Sequence, residues 1–457
     1  MESLSKTAGS GVRARVRDAL RQELRPMATL AAPLVLAEVG WMAMGVVDTM
    51  MVGRVGAEAV AAVSLGTMVF YAVGMFASGL LLGLDTLVAQ AYGAQDRVDC
   101  RRSLVNGVWL AIGLVPIVMA VIAAFPPLLA VFGIDPAVRV VTGPYLWALN
   151  WSTPALLGYF AFRRYLQSVN VVRPVTLVLV SANLVNVAGN WLLVFGHWGF
   201  PRMGAEGSGW ATCLSRFYMA IGLGVVIWRH DHRALFEISW RPHWERIREL
   251  LRLGMPAALQ IGLETGVFAT VTVLVGKLGA IALASHQVAL MTVSMTFMLP
   301  LGISSAASVR VGHALGARDS DAAIRAGWTA MALGAAVMSA AGLALTFFPH
   351  WIARSYTPDE GIVVAGAAIL QVAALFQLFD GLQIVATGAL RGAGDTRTPM
   401  LCHFTGYWVI GLPLGALLCF HFGMGARGLW IGLTVGLIVI GLILLEGWRR
   451  ATLRFPR

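Results

Sequence analysis

The chain has 457 residues, of which 58% are hydrophobic and only 12% charged, and it carries a formal net charge of +11. A charged fraction this far below the rough quarter usual for soluble domains excludes a water-soluble globule. The positive surplus does not indicate nucleic acid either, because the basic residues, all Arg except Lys6 and Lys277, gather at the ends of apolar runs instead of forming one basic stripe.

Taken in chain order, the N-terminal segment 1–26 holds Lys6, Arg13, Arg15, Arg17, Arg21 and Arg25 ahead of an apolar run longer than a signal-peptide core. It reads as a retained cytoplasmic segment. Windows free of Asp, Glu, Lys and Arg then cover 59–84, 103–134, 140–162, 174–201, 278–309, 326–353, 361–379 and 398–426, each matching the ~20 apolar residues that cross a bilayer. Gly, Pro and charge break the chain near 53–57, 93–102, 126–136, 163–173, 197–204, 229–248, 277–280, 316–322, 349–360, 391–399 and 421–427, as connections do. Eleven breaks give twelve spans, so the expected fold is an all-α polytopic membrane protein. Its parts are a cytoplasmic segment at 1–26, an N-lobe of spans 1–6 at 27–228, a cytoplasmic linker at 229–248, a C-lobe of spans 7–12 at 249–448 and a tail at 449–457.

Alternate sides of the membrane receive 27 and six basic residues. By the positive-inside rule both termini are expected in the cytoplasm, in a bacterial-type inner membrane. The polar stretch from Arg229 to Arg252, with Trp240 and Trp244 interleaved, reads as an amphipathic linker lying on the inner leaflet. The four cysteines, Cys100, Cys213, Cys402 and Cys419, have neither disulfide-framework nor zinc spacing.

Sliding the chain on itself until Pro33 meets Pro256 also pairs Gly56 with Gly279, Gly79 with Gly302, Gly93 with Gly316 and Asp96 with Asp319. Two homologous halves are implied. Six spans each, an even number, make them two six-helix lobes related by a pseudo-two-fold axis along the membrane normal. Neither lysine fits a Walker A loop, so no nucleotide and no other cofactor is expected; an ion gradient acting on intramembrane acids is the remaining driving force.

Five such acids occur: Glu38, Asp48, Asp85, Glu264 and Asp380. Each costs at least ~2.5–3.5 kcal/mol on insertion scales, and so calls for a cavity, a cation or a partner. Along the sequence no basic residue stands at similar depth beside them, leaving Arg216 as the one candidate partner. Glu264 follows Arg252, and Asp380 precedes Arg391, by about three helical turns. At ~1.5 Å per residue both sit roughly 16–18 Å from the cytoplasmic helix ends, and are expected to form one cation site. Asp48, shortly before Arg54, shares the outer half of the membrane with Asn186 and Asn190. Those asparagines are four apart, on one helix face, and can offer amide oxygens to a hard cation or hydrogen bonds to Asp48; helix–helix hydrogen bonding is the plainer alternative. Either Na+ or H+ can serve as the coupling ion, and Glu264 with Asp380 and Asp48 with Asn186 and Asn190 are both candidate places for Na+. Glu38 and Asp85 are further candidate cavity acids.

The stretches MGVVDTMMVGRVG (44–56), LVNVAGNWLLVFG (184–196), LRLGMPAALQIGLETGVFA (251–269), HQVALMTVSMTFMLPLGISSAASVRVGHALG (286–316) and LFDGLQIVATGALRGAGDTRTP (378–399) together resemble the multidrug and toxic compound extrusion (MATE) family, in its NorM-like branch. The resemblance spans nearly the whole chain and implies a V-shaped pair of six-helix lobes. It also implies efflux of large, mostly cationic, amphipathic compounds in exchange for Na+ or H+. It assigns Asp48, Asn186 and Asn190 to an N-lobe cation and proton region, and Glu264 and Asp380 to a C-lobe cation site. Glu38 and Asp85 stand where neutral residues are expected, and Phe376 lacks a hydroxyl that some relatives carry. The expected partners are the bilayer, small organic cations and other amphipathic drugs, with no nucleic acid, and a monomer is expected to suffice.

Two other functions compete. A lipid-linked saccharide flippase on the same scaffold would carry an anionic diphosphate and favour basic groups at depth, where the charges read as almost all acidic. The GAGD sequence at 392–395 matches the GxGD pattern of intramembrane aspartyl proteases, with Asp380 as a second carboxylate. Asp395, however, stands between Arg391 and Arg397 in a turn, so the protein is not expected to be an enzyme.

Overall fold

The computed structural model describes residues 2–131, 135–235 and 239–455, with side chains described from Glu23 onward except at 130–134 and 232–238. Among the described residues every regular element is a helix. In chain order these are α1 (Glu2–Val52), α2 (Ala57–Leu80), α3 (Gly83–Gly93), α4 (Arg97–Ala123), α5 (Phe125–Val131), α6 (Pro136–Asn150), α7 (Thr153–Ser168), α8 (Val172–Leu193) and α9 (Ala205–Leu235). The second half supplies α10 (Trp244–Gly276), α11 (Ala280–Gly316), α12 (Ser320–Phe347), α13 (Pro349–Arg354), α14 (Glu360–Gly392), α15 (Arg397–His403), α16 (Leu412–Ala416) and α17 (Gly425–Thr452).

Among the described residues, eleven helical segments are long and apolar enough to cross a membrane. The twelfth span is built from α6 and α7, helices of 15 and 16 residues that are each too short alone. The break falls at Trp151–Ser152, because Pro154 has no N–H to give the Asn150 carbonyl and disfavours a helical residue before it. Local side chains take up the strain: Asn150 donates to the Met119 carbonyl at 3.0 Å and Ser152 donates to the Leu149 carbonyl at 2.5 Å. The uncharged window 140–162 hides this break from a hydropathy reading.

Sequence repeats become structural repeats at the helix caps. Gly56 and Gly279 precede α2 and α11 with φ of 153° and 107°, conformations that favour glycine. Asp96 and Asp319 cap α4 and α12, accepting from the Asp99 and Ala322 amides at 2.9 and 2.8 Å, and so satisfy otherwise orphaned donors. Each cap follows a left-handed residue, Gln95 or Arg318. Every pair keeps the offset that carries Pro33 to Pro256. Between α15 and α17 the chain widens into π-helical stretches at Phe404–Gly411 and Leu417–His421.

Two compact units result. The first comprises Leu36–Tyr92 and Asp96–Thr265; the second comprises Met1–Val35, Gly93–Gln95 and Gly266–Arg457. α1 and α10 therefore each begin in one unit and end in the other. Within the first unit a Cβ on Gly79 would lie 2.6 Å from the Ala258 Cα, and within the second a Cβ on Gly302 would lie 2.6 Å from the Val35 N. These are one contact repeated at the same offset: the second span of each repeat packs on the start of the other repeat's first span. Lipid is as apolar as leucine, so such close backbone approach, rather than a hydrophobic drive, holds helices together here. Residues 236–238 of the expected linker lie outside the described residues, as do the side chains of the basic residues before Glu23.

Candidate functional site

Asp48 sits on the last turns of α1, 8% exposed, where α8 and α9 reach it together. Asn190 on α8 donates from Nδ2 to Asp48 Oδ1 at 2.7 Å, and Thr212 on α9 donates from Oγ1 to Asp48 Oδ2 at 2.8 Å. Asn190 Nδ2 is also 3.2 Å from Asn186 Oδ1. The backbone explains the convergence: Gly189 faces Ala211, where an added Cβ would stand 3.1 Å from the alanine Cβ, and the next residue on each helix is the donor. Asp48, Asn186 and Asn190 are thus brought together as expected, and Thr212 completes the set. Thr212 is four residues before Arg216 on one face of α9, the only sequence signal for it.

Both donors to Asp48 are neutral. Its carboxylate keeps free lone pairs, and Asn190 Oδ1 is buried with no hydrogen-bond partner, a combination of hard oxygens that suits a proton or a small cation. A cavity of about 120 Å³ opens beside Asp48, lined also by Trp41, Tyr71, Tyr145, Thr212 and Arg216. Arg216, the expected partner of the deep acids, directs Nη1 to Ser152 Oγ at 2.6 Å and lays its guanidinium 4.4 Å from the centre of the Phe70 ring. It shares the cavity with Asp48 while being held from elsewhere.

Glu38 and Asp85 are placed differently. Glu38 pairs with Arg163, whose side chain is almost completely buried, and Asp85 stands 3.4 Å from Arg164. The sequence alone places both arginines in a connection and leaves Arg216 as the sole candidate; the structure corrects this, because α7 runs on through Ser168, burying Arg163 and leaving Arg164 half-buried. The deep charge of the first unit is consequently far less acidic than the sequence suggests.

Asp380, 2% exposed on α14, accepts from Gln383 Nε2 at 3.2 Å. Among the described residues no cation stands within ion-pair distance of it. A separation of three along one helix face is the spacing that could have revealed Gln383. One turn earlier Phe376 packs edge-on to Trp430 and Phe268, with centroids 5.8 and 6.3 Å apart, while Gln377 donates to Thr296 Oγ1 at 2.7 Å. Glu264 is half-buried on α10 and belongs to the first unit, whereas Asp380 belongs to the second. Asp395 of the GAGD turn accepts from the Arg397 and Thr398 amides at 3.1 and 3.0 Å, so from the turn just before α15 it satisfies the first two amides of that helix.

Apolar spans, duplicated in sequence and carrying hydrogen-bonded carboxyl groups within them, define a polytopic helical membrane protein made of two six-span repeats. The MatE family model matches residues 33–192 and again 256–417; its two starting points, Pro33 and Pro256, are the pair that sets the repeat. A probable multidrug resistance protein NorM from Mesorhizobium japonicum is 38% identical over 440 residues, 94% of each chain. The multidrug resistance protein NorM of Burkholderia vietnamiensis is 39% identical over 432 residues, 92% of each chain. The crystal structure of the eukaryotic MATE transporter AtDTX14 shares the fold, with a TM-score of 0.85 and 23% identity, covering 96% of this chain and all of that one. The chain belongs to the MATE family, in its NorM-like branch.

Proposed function

We propose that the protein is a secondary active multidrug exporter of a bacterial-type inner membrane, with both termini cytoplasmic. It exchanges amphipathic, mostly cationic organic compounds for Na+ or H+, and works as a monomer. The names of its relatives support the cargo class. The observation that carries the coupling is the Asp48 carboxylate, held only by neutral donors beside a cavity within a span. A carboxylate there, hydrogen-bonded by neutral donors and only partly offset by Arg216 across the cavity, keeps a charge that a proton, a cation or a cationic drug can answer. If ion and drug favour different arrangements of the repeats, by a few kcal/mol, exchange follows from linkage alone. Asp48, Asn186 and Asn190 are the proposed site in the first half of the sequence, and Glu264 and Asp380 the proposed coupling acids of the second half. The lobes are the repeats 27–228 and 249–448, joined by 229–248.

The test is efflux of a fluorescent organic cation from proteoliposomes with a Na+ or a pH gradient imposed alone. Efflux driven by one of them supports the proposal, and efflux indifferent to both sinks it. Arg216 in the Asp48 cavity is the one observation favouring a lipid-linked saccharide flippase, since a buried guanidinium suits phosphate. Translocation of a diphosphate lipid without export of organic cations would establish that reading instead.

A further inference from the structure

Beyond α9 the chain turns back onto α4. Trp109 donates from its indole N–H to the Trp240 carbonyl at 2.8 Å, and the His243 amide donates to Asn106 Oδ1 at 2.7 Å. Arg102 Nη2 stands 3.3 Å from His243 Nδ1, and Arg246 pairs with Asp99 and, at 3.0 Å, with Glu249. At the end of α9, buried Asp231 accepts from Arg101 at 3.2 Å and from the Tyr165 hydroxyl at 2.7 Å. Residues 239–246 are thus fastened to α4 by both backbone and side chain.

Beneath this fastening lies a cavity of about 300 Å³. Leu104 and Val108 of α4, Phe162 of α7 and Ile227 of α9 line it, together with Trp228 and Trp240. Among the described residues none that lines it is charged. The two tryptophans are 58% and 55% exposed, and each is followed in sequence by an exposed arginine, Arg229 or Arg241. An apolar chamber of this size, lined by two exposed indoles that are each followed in sequence by an exposed arginine, is complementary to an amphiphile that joins a hydrocarbon chain to a phosphate.

We propose that this chamber binds one anionic phospholipid, an acyl chain seated between α4, α7 and α9 and the phosphate held by Arg229 and Arg241. The lipid then pins Trp240, and with it the linker, against α4. The proposal rests on the membrane fold and not on the identity of the coupling ion.

The experiment is native mass spectrometry of the full-length protein, purified and re-lipidated with an equimolar mixture of phosphatidylglycerol and phosphatidylcholine. Wild type should retain phosphatidylglycerol preferentially. In the double variant Arg229→Gln/Arg241→Gln that preference should fall by roughly 25-fold, from a factor of about five for each near-surface arginine. The chamber itself is tested by Gly224→Leu: a Cβ on Gly224 meets only Phe162, at 3.6 Å, so the new side chain can grow into the space and should displace the lipid with the thermal midpoint kept or raised. Equal retention of the two lipids by wild type overturns the proposal, as does undiminished phosphatidylglycerol on a folded Gly224→Leu protein. The arginine variants lie on the surface and keep the test open should Gly224→Leu not fold.

Discussion

A carboxyl group inside a span persists only where its surroundings replace the water it has lost, and the first unit does this in two ways. Glu38 is answered by a buried arginine, Asp48 by an amide and a hydroxyl. Neutralising Glu38 leaves the Arg163 charge buried and alone, which costs about 3–5 kcal/mol. Glu38→Gln is therefore expected to lower the thermal midpoint in detergent sharply, and replacing Arg163 by Met in the same chain should recover part of the loss. An unchanged midpoint in Glu38→Gln would mean that the pair stabilises nothing. Asp48→Asn keeps the shape; its amide oxygen can still accept from Asn190 while its NH2 donates to a turned Thr212 hydroxyl, so its stability should stay within about 1 kcal/mol of wild type while gradient-driven export is largely lost; wild-type export by a folded variant would remove Asp48 from the mechanism. The grouping of Asp48 with Asn186 and Asn190 is legible in the sequence because helical rise sets all three at one height. Arg163 and Arg164 are not, since at the edge of an uncharged window they look like the start of a loop.

Helices position these groups through their crossings. α8 approaches α9 at Gly189 and Ala211, one residue before each donor to Asp48, so the crossing sets the width of the site. Gly189→Val must push the helices apart, an overpacking cost of about 1–3 kcal/mol. Its expected signature is a lowered thermal midpoint together with reduced export, because Asn190 and Thr212 can no longer both reach the carboxylate. Full activity would show that the site tolerates a wider crossing. At this scale the sequence is an uneven guide. The breaks of Gly, Pro and charge count all twelve spans, yet the Pro154 break in the fourth and the π-helical stretches after α15 depend on local backbone sterics and close glycine contacts that leave hydropathy unchanged.

Duplication organises the whole molecule, and it is visible in the sequence because glycines and capping aspartates recur at a fixed displacement. The crossing of α1 and α10 between units is not visible, since hydropathy counts spans without saying which span packs on which. The acids are not duplicated: the shift takes Asp48 to Val271 and Glu264 to Trp41, which fits two repeats with different tasks. If Glu264 and Asp380 serve the same coupling step, Glu264→Gln and Asp380→Asn should each lose most ion-dependent export and the double variant little more. Additive losses would make them independent acids.

Exchange is the central claim, and thermodynamic coupling is reciprocal. The most direct measurement therefore reverses the usual assay: an organic cation gradient is imposed across proteoliposomes with no initial ion gradient, and H+ and Na+ are followed by internal indicators. Downhill movement of the organic cation through wild-type protein should drive one of these ions uphill in the opposite direction, and Asp48→Asn should abolish that movement. Organic cation flux with no accompanying ion movement would contradict exchange and leave a passive pathway in its place.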